Sequence, residues 1–206
     1  ISNGSRDGMV VAPDARAAQV GQQVLAEGGS AIEATVSATA VLAVIYPHMC
    51  GLGGDSFWLL ANGKGEPPEV IDASGAAAAS LTTGYYTHQG YSRIPERGPQ
   101  AALTMAGMIG GIEAALAYDT KTTPKLPLER LLAPAIDYAQ HGFQPGQHLQ
   151  DTLAGRLESF KAYPSFNEHF ELCDGQHRMP ALAATLQRLA DAGLSDFYQG
   201  DLADVM

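Results

Sequence analysis

Residues 34–47 read ATVSATAVLAVIYP, with apolar side chains on nearly every helical face. Such a helix cannot lie on a surface; it has to be enclosed by other elements on all sides. Its start is marked by Ser30 and Glu33, a capping box. The hydroxyl accepts the amide proton three residues on, and the carboxylate accepts the Ser30 amide proton. Pro47 stops it. Its many alanines imply that neighbouring elements pack closely.

The flanking sequence supplies those neighbours. MVVA (residues 9–12) reads as a short strand. Asp14 caps a helix that runs to about Glu27 and ends at Gly28-Gly29, where a left-handed turn costs little. Its apolar face carries Val20, Val24 and Leu25. Residues 57–61 and 69–73 form a hairpin around NGKG, a strong turn signal. A small-residue helix is expected over 77–87, an irregular Arg/Pro loop over 90–100, a strand at AALTM (101–105), and a helix in GMIGGIEAALAYD. From Pro127 the pattern is wholly helical: one helix closed by Gly142, a second over 145–161, and a third from Pro180 to Gly193. SDFYQGDLADVM opens a further helix, from which the chain is expected to continue in a parent protein. It begins with Ile1, which points to a processed product or a fragment. With no internal repeat or low-complexity linker, residues 1–206 read as a single domain of mixed α/β (α+β) class, its C-terminal half mostly helical.

Composition narrows the function. The net charge of -10 and the lack of a basic patch argue against nucleic acid as partner. No apolar run approaches the ~18 residues of a membrane span, so no membrane partner is expected. Cys50 and Cys173 provide no disulfide framework, and a buried, inert thiol is expected at Cys50. No signal-peptide pattern is visible, and the compartment stays open.

The chemistry-bearing motifs are each modest. CGLGGDS (50–56) has a helix before it and a strand after it, the reverse of a phosphate loop, and lacks Gly-Lys-Ser/Thr. Ser56 lacks the G-x-S-x-G elbow of a serine hydrolase. The glycines therefore read as tight backbone at a buried helix-to-strand junction. The histidines at 48, 88, 141, 148, 169 and 177 show no metal-ligand spacing, so neither metal nor cofactor is expected. His141, just before Gly142, reads as a helix C-terminal residue. Thr87 and His88 are adjacent and diverge. Arg93 and Arg97 lie in a Pro/Gly-rich loop, and the guanidinium fork suits a substrate carboxylate. Taken alone, these residues describe a compact α/β protein without an assembled active site.

The run DGMVVAPDARAAQVGQQVLAEGGSAIEATVSATAVLAVIYPHMCGLGGDSFWLL resembles the start of the gamma-glutamyltranspeptidase family. The similarity continues in order through RGPQAALTMAGMIGGIEAAL, LPLERLLAPAIDYAQHGF and LAATLQRLADAGLSDFYQGDLA. The resemblance implies a four-layer αββα sandwich of the N-terminal-nucleophile hydrolase type, completed by a second subunit. Such enzymes cut themselves before a threonine, and the small subunit carries that new N-terminal Thr. Its hydroxyl attacks an amide with its own α-amino group as base, forming an acyl-enzyme. This chain then corresponds to part of the large subunit, with no catalytic residue of its own.

The resemblance also implies a departure. Transpeptidases carry an Arg in an (F/A)-R-E-x-A-P segment that grips the substrate α-carboxylate. Here that segment reads IDASGAAAA, with Ser74 at the Arg position and Gly75 at the Glu position. Serine cannot act as a bidentate cation. YPHMCGLGGDSFW and RIPERGPQAALTMAG look most like the branch containing oxamate amidohydrolase. That implies a small anionic amide as substrate, with Ser74 beside it and Arg97 or Arg93 as its cation. The alternatives are a classical gamma-glutamyltranspeptidase (glutathione hydrolase) and an inactive assembly or binding module.

Overall fold

The computed structural model describes residues 2–5, 8–61, 63–101, 104–119, 126–161, 163, 169–170 and 172–205. They gather into two compact units, residues 1–52 with 112–206, and residues 53–111.

The first unit is built around the apolar helix. A short antiparallel hairpin pairs β1 (Ser2–Ser5) with β2 (Gly8–Val11), and α1 (Ala15–Ala26) follows. Asp14 caps α1 by accepting the Arg16 amide proton, and Gly28 adopts φ 87° just beyond its end. The central helix is α2 (Ala31–Ile45), with both halves of the capping box formed. Val36, Ala40, Val41 and Val44 are essentially inaccessible, as an all-round apolar helix requires. Alpha helices α1 and α5 (Leu128–His141) pack on it. Gly21 of α1 faces Val10 and the Ala34 carbonyl so closely that even a methyl group would not fit.

Glu33 does more than cap. It is 1% exposed. One carboxylate oxygen accepts the Ser30 amide proton at 2.7 Å and the other that of Leu126 at 2.7 Å. The Ser30 hydroxyl donates to Asp119 at 2.5 Å. The cap thus ties α2 to Asp119 and to Leu126. Asp119 ends α4 (Met108–Asp119).

The remaining elements of this unit are α6 (Gln147–Phe160), a two-residue hairpin of β5 (Leu172–Cys173) and β6 (Gln176–His177), α7 (Pro180–Ala192), α8 (Asp196–Gln199) and α9 (Asp201–Val205). The hairpin corrects the wholly helical expectation for residues after Pro127. His177 pairs by backbone with Phe143, just past the turn at Gly142, so α5 and the hairpin are stitched together. The final pattern also breaks in two at Gly200. Its flanking helices are joined through Arg188, which bridges Asp196 and Asp201.

The second unit holds the hairpin of β3 (Ser56–Leu60) and β4 (Glu69–Ala73), in register Ser56↔Ala73 through Leu60↔Glu69. The expected strands are one residue off at β3 and match at β4. Trp58 is buried, whereas Phe57, Leu59 and Val70 on the other face are about 70% exposed. Helix α3 is only Thr83–His88. Residues 77–82 are not helical, because Ala77 forms an antiparallel bridge with Thr104 and Ala76 accepts the Met105 amide proton. That pairing is all that the described residues retain of the expected AALTM strand; Ala102 and Leu103 fall outside them. Asn62 of the turn does also.

Candidate functional site

The segment Ser74-Gly75 lies immediately after β4, and its environment is set by the second unit alone. Ser74 donates both its amide and its hydroxyl to Asp72 Oδ1, at 2.9 and 2.6 Å. These hydrogen bonds, the hydroxyl's first, hold the Asp72 carboxyl below its ordinary range. The Gly75 amide donates to Asp55 Oδ1 at 3.0 Å. Asp55 is the acidic residue of LGGDS, so the glycine-rich stretch and the Ser-Gly segment meet directly. The Gly54 carbonyl in turn accepts the Met108 amide proton at 2.9 Å.

Backbone crosses backbone here. A Cβ on Gly75 would lie 2.9 Å from the Met105 nitrogen and nearer still to its carbonyl. A Cβ on Gly107 would overlap the Ala73 carbonyl and come within 3.2 Å of the Gly75 nitrogen. Neither position can hold a side chain without the two strands parting. Position 75 therefore cannot carry a glutamate in this conformation. Gly51 and Gly53 behave differently. They are not at positive φ, and a Cβ on either would meet nothing within 4 Å. Residues 53–55 are also exposed. Tight backbone at a buried junction therefore does not explain the glycines at 51 and 53; in this chain the steric demand falls on Gly75 and Gly107.

The two arginines are not equivalent. Arg93 is 80% exposed and pairs with Glu96 at 3.3 Å. It also lines a cavity of about 410 Å³ together with Thr82, Thr83, Tyr86, Thr87, Tyr91 and Ile94. Arg97 is exposed, and neither it nor Ser74 lines that cavity. Thr87 donates its hydroxyl to the Gly84 carbonyl at 3.1 Å, a helix-internal bond rather than one to His88. Ser56 accepts from the Trp58 indole at 3.2 Å. Cys50 is a free, half-buried thiol whose pKa is pushed up by burial, away from reactivity. His141 ends α5 and contacts Asp137 at 2.9 Å. No nucleophile–base pair is assembled among these residues.

The gamma-glutamyltranspeptidase family model matches residues 17–206. This chain belongs to the gamma-glutamyltranspeptidase family. It is 46% identical to the oxamate amidohydrolase proenzyme of Klebsiella pneumoniae, over 98% of this chain and 39% of that protein. It is 38% identical to a glutathione hydrolase-like proenzyme of Bacillus subtilis, over 95% of this chain and 37% of that protein. The solved gamma-glutamyltranspeptidase of Helicobacter pylori superimposes with a TM-score of 0.85 at 29% identity, covering 98% of this chain and 59% of that one. The fold is thus the mixed α/β fold of the family's hydrolases. The chain spans under two fifths of the two curated relatives.

Two features of the site are invisible to motif reading. Asp55 and Gly75 are joined only by the fold, and Gly107 earns its place by facing Ala73. The one sequence signal was that both glycines interrupt otherwise apolar or alanine-rich stretches.

Proposed function

We propose that this chain is a large-subunit portion of an autoprocessed hydrolase that cleaves a small anionic amide of the oxamate kind. The observation that carries this reading is Ser74-Gly75. A gamma-glutamyl grip needs an arginine at the first position, and this chain has a hydroxyl already held by Asp72. It needs a glutamate at the second, where no side chain fits. The similarity to an oxamate amidohydrolase proenzyme supports the same substrate class.

In this reading both units belong to the large subunit, and a threonine of the partner subunit is the nucleophile. Its hydroxyl adds to the amide carbonyl while its α-amino group takes the proton and then delivers it to the departing ammonia. Water releases the acyl group as a carboxylate. Arg97 serves as the cation for the substrate's own carboxylate, with Arg93 less available because Glu96 already engages it. The exposed β3–β4 face of Phe57, Leu59 and Val70 is apolar area suited to the partner subunit's sheet.

The test is ammonia release from oxamate by the full two-subunit protein, beside hydrolysis of a gamma-glutamyl anilide. Turnover of oxamate is expected. Hydrolysis of the anilide with none of oxamate would favour the glutathione-hydrolase reading, which the Bacillus relative's name supports. No turnover of either, with no second chain by intact mass, would reduce the protein to an assembly module.

A further inference from the structure

We propose that Tyr46, His48 and His148 form a binding site for a divalent transition-metal ion of the zinc class. Tyr46 and His48 lie just past the end of α2 and His148 in the first turn of α6, all in the first unit. His48 and His148 are 100 residues apart in sequence. The three polar atoms nevertheless meet around His148 Nδ1: His48 Nε2 lies 2.6 Å from it and Tyr46 Oη 2.8 Å. The three rings also touch one another. Tyr46 lies against His48 at 4.2 Å between centroids and stacks on His148 at 5.6 Å.

Hydrogen bonding does not account well for this arrangement. A ring nitrogen has one proton or one lone pair, so His148 Nδ1 cannot serve two partners fully. A metal ion uses the lone pairs of both histidines at once and accepts the phenol oxygen as a third ligand. His148 is exposed, which gives an ion access. Two bonds of ~2.0–2.1 Å at a tetrahedral angle place the nitrogens about 3.3 Å apart. The rings would thus open by about 0.7 Å, which rotation of the exposed His148 ring can supply. Imidazole, phenol and open positions for water suit zinc, nickel or copper rather than magnesium or calcium.

The experiment titrates zinc into chelator-stripped full-length two-subunit protein, with a fluorescent zinc chelator as competitor. One equivalent is expected to bind, and His48→Gln and His148→Gln should each weaken it at least about tenfold. Tyr46→Phe should weaken it less. Absence of stoichiometric zinc, or variants that bind as wild type does, would overturn the proposal. Zinc-edge X-ray absorption of the wild-type protein keeps the test independent of the variants' folding. Two imidazoles with oxygen are expected, and a sulfur shell would assign the ion to a cysteine and overturn it equally.

Discussion

Replacing Gly75 with alanine tests the backbone crossing that shapes the candidate site. The new methyl would sit 2.9 Å from the Met105 nitrogen and closer to its carbonyl, against main chain that cannot swing aside. Relief requires the Ala73–Gly75 and Met105–Gly107 segments to part. That strains the Met105 amide bond to Ala76 at 3.0 Å and the Gly75 amide bond to Asp55 at 3.0 Å. Losing two such bonds costs about 1–3 kcal/mol together. Overpacking adds about 1–3 kcal/mol. A total near 4 kcal/mol lowers Tm by about 8 °C or more for a folded protein the size of this 206-residue chain. Thermal melting of the full two-subunit protein reads this directly, with Gly155→Ala as the comparison. Gly155 lies within α6, a Cβ there meets nothing within 4 Å, and alanine should stabilise by about 1 kcal/mol. Gly75→Glu should fail as Gly75→Ala does, whereas Ser74→Arg, at an exposed position, should melt near wild type. A Gly75→Ala protein melting within about 1 °C of wild type would refute the steric argument.

Three further outcomes are expected. Glu33→Ala leaves the Ser30 and Leu126 amides without their acceptor and should cost about 2–4 kcal/mol in chemical denaturation; Glu33→Gln keeps one acceptor oxygen and should lose about half of that. The Asp14 carboxyl is held below its ordinary value of 3.8, first by the side-chain hydrogen bonds from Arg16. A depressed folded-state pKa gives stability that is present above the unfolded value and lost as pH falls through the folded one. Asp14→Asn should therefore flatten the acid limb of a stability–pH profile below 3.8, leaving the slope at neutral pH unchanged. Arg97→Ala should raise KM for an anionic amide about tenfold or more, the worth of one charge-assisted bond, with little change in kcat. An unaltered KM removes Arg97 from the site.

Local sequence determined much of the first unit. Asp14 and Ser30 cap the helices that follow them, Gly142 and Gly193 end α5 and α7 at positive φ, and the all-round apolar α2 is buried. These features depend on residues within a few positions of one another, or on the average polarity of a helix. The β3–β4 hairpin was legible for the same reason, since its strands are joined by a short turn-forming segment. The ordered resemblance along the whole chain identified the family, which no single motif could do.

Tertiary structure decided what lies between distant segments. Residues 77–82 have helix-forming alanines, yet pairing of Ala76 and Ala77 with Thr104 and Met105 takes their backbone first. The two-residue β5–β6 hairpin is too short for any periodicity to reveal, and its β6 end pairs with Phe143. Gly75 looks permissive in sequence and is obligatory in space, because its neighbour is a carbonyl thirty residues later. His48 and His148 showed no ligand spacing along one helix, are 100 residues apart, and meet only in the folded chain. Hydrogen bonds at caps and turns are written in adjacent residues, whereas excluded volume and the convergence of side chains exist only after the chain has folded.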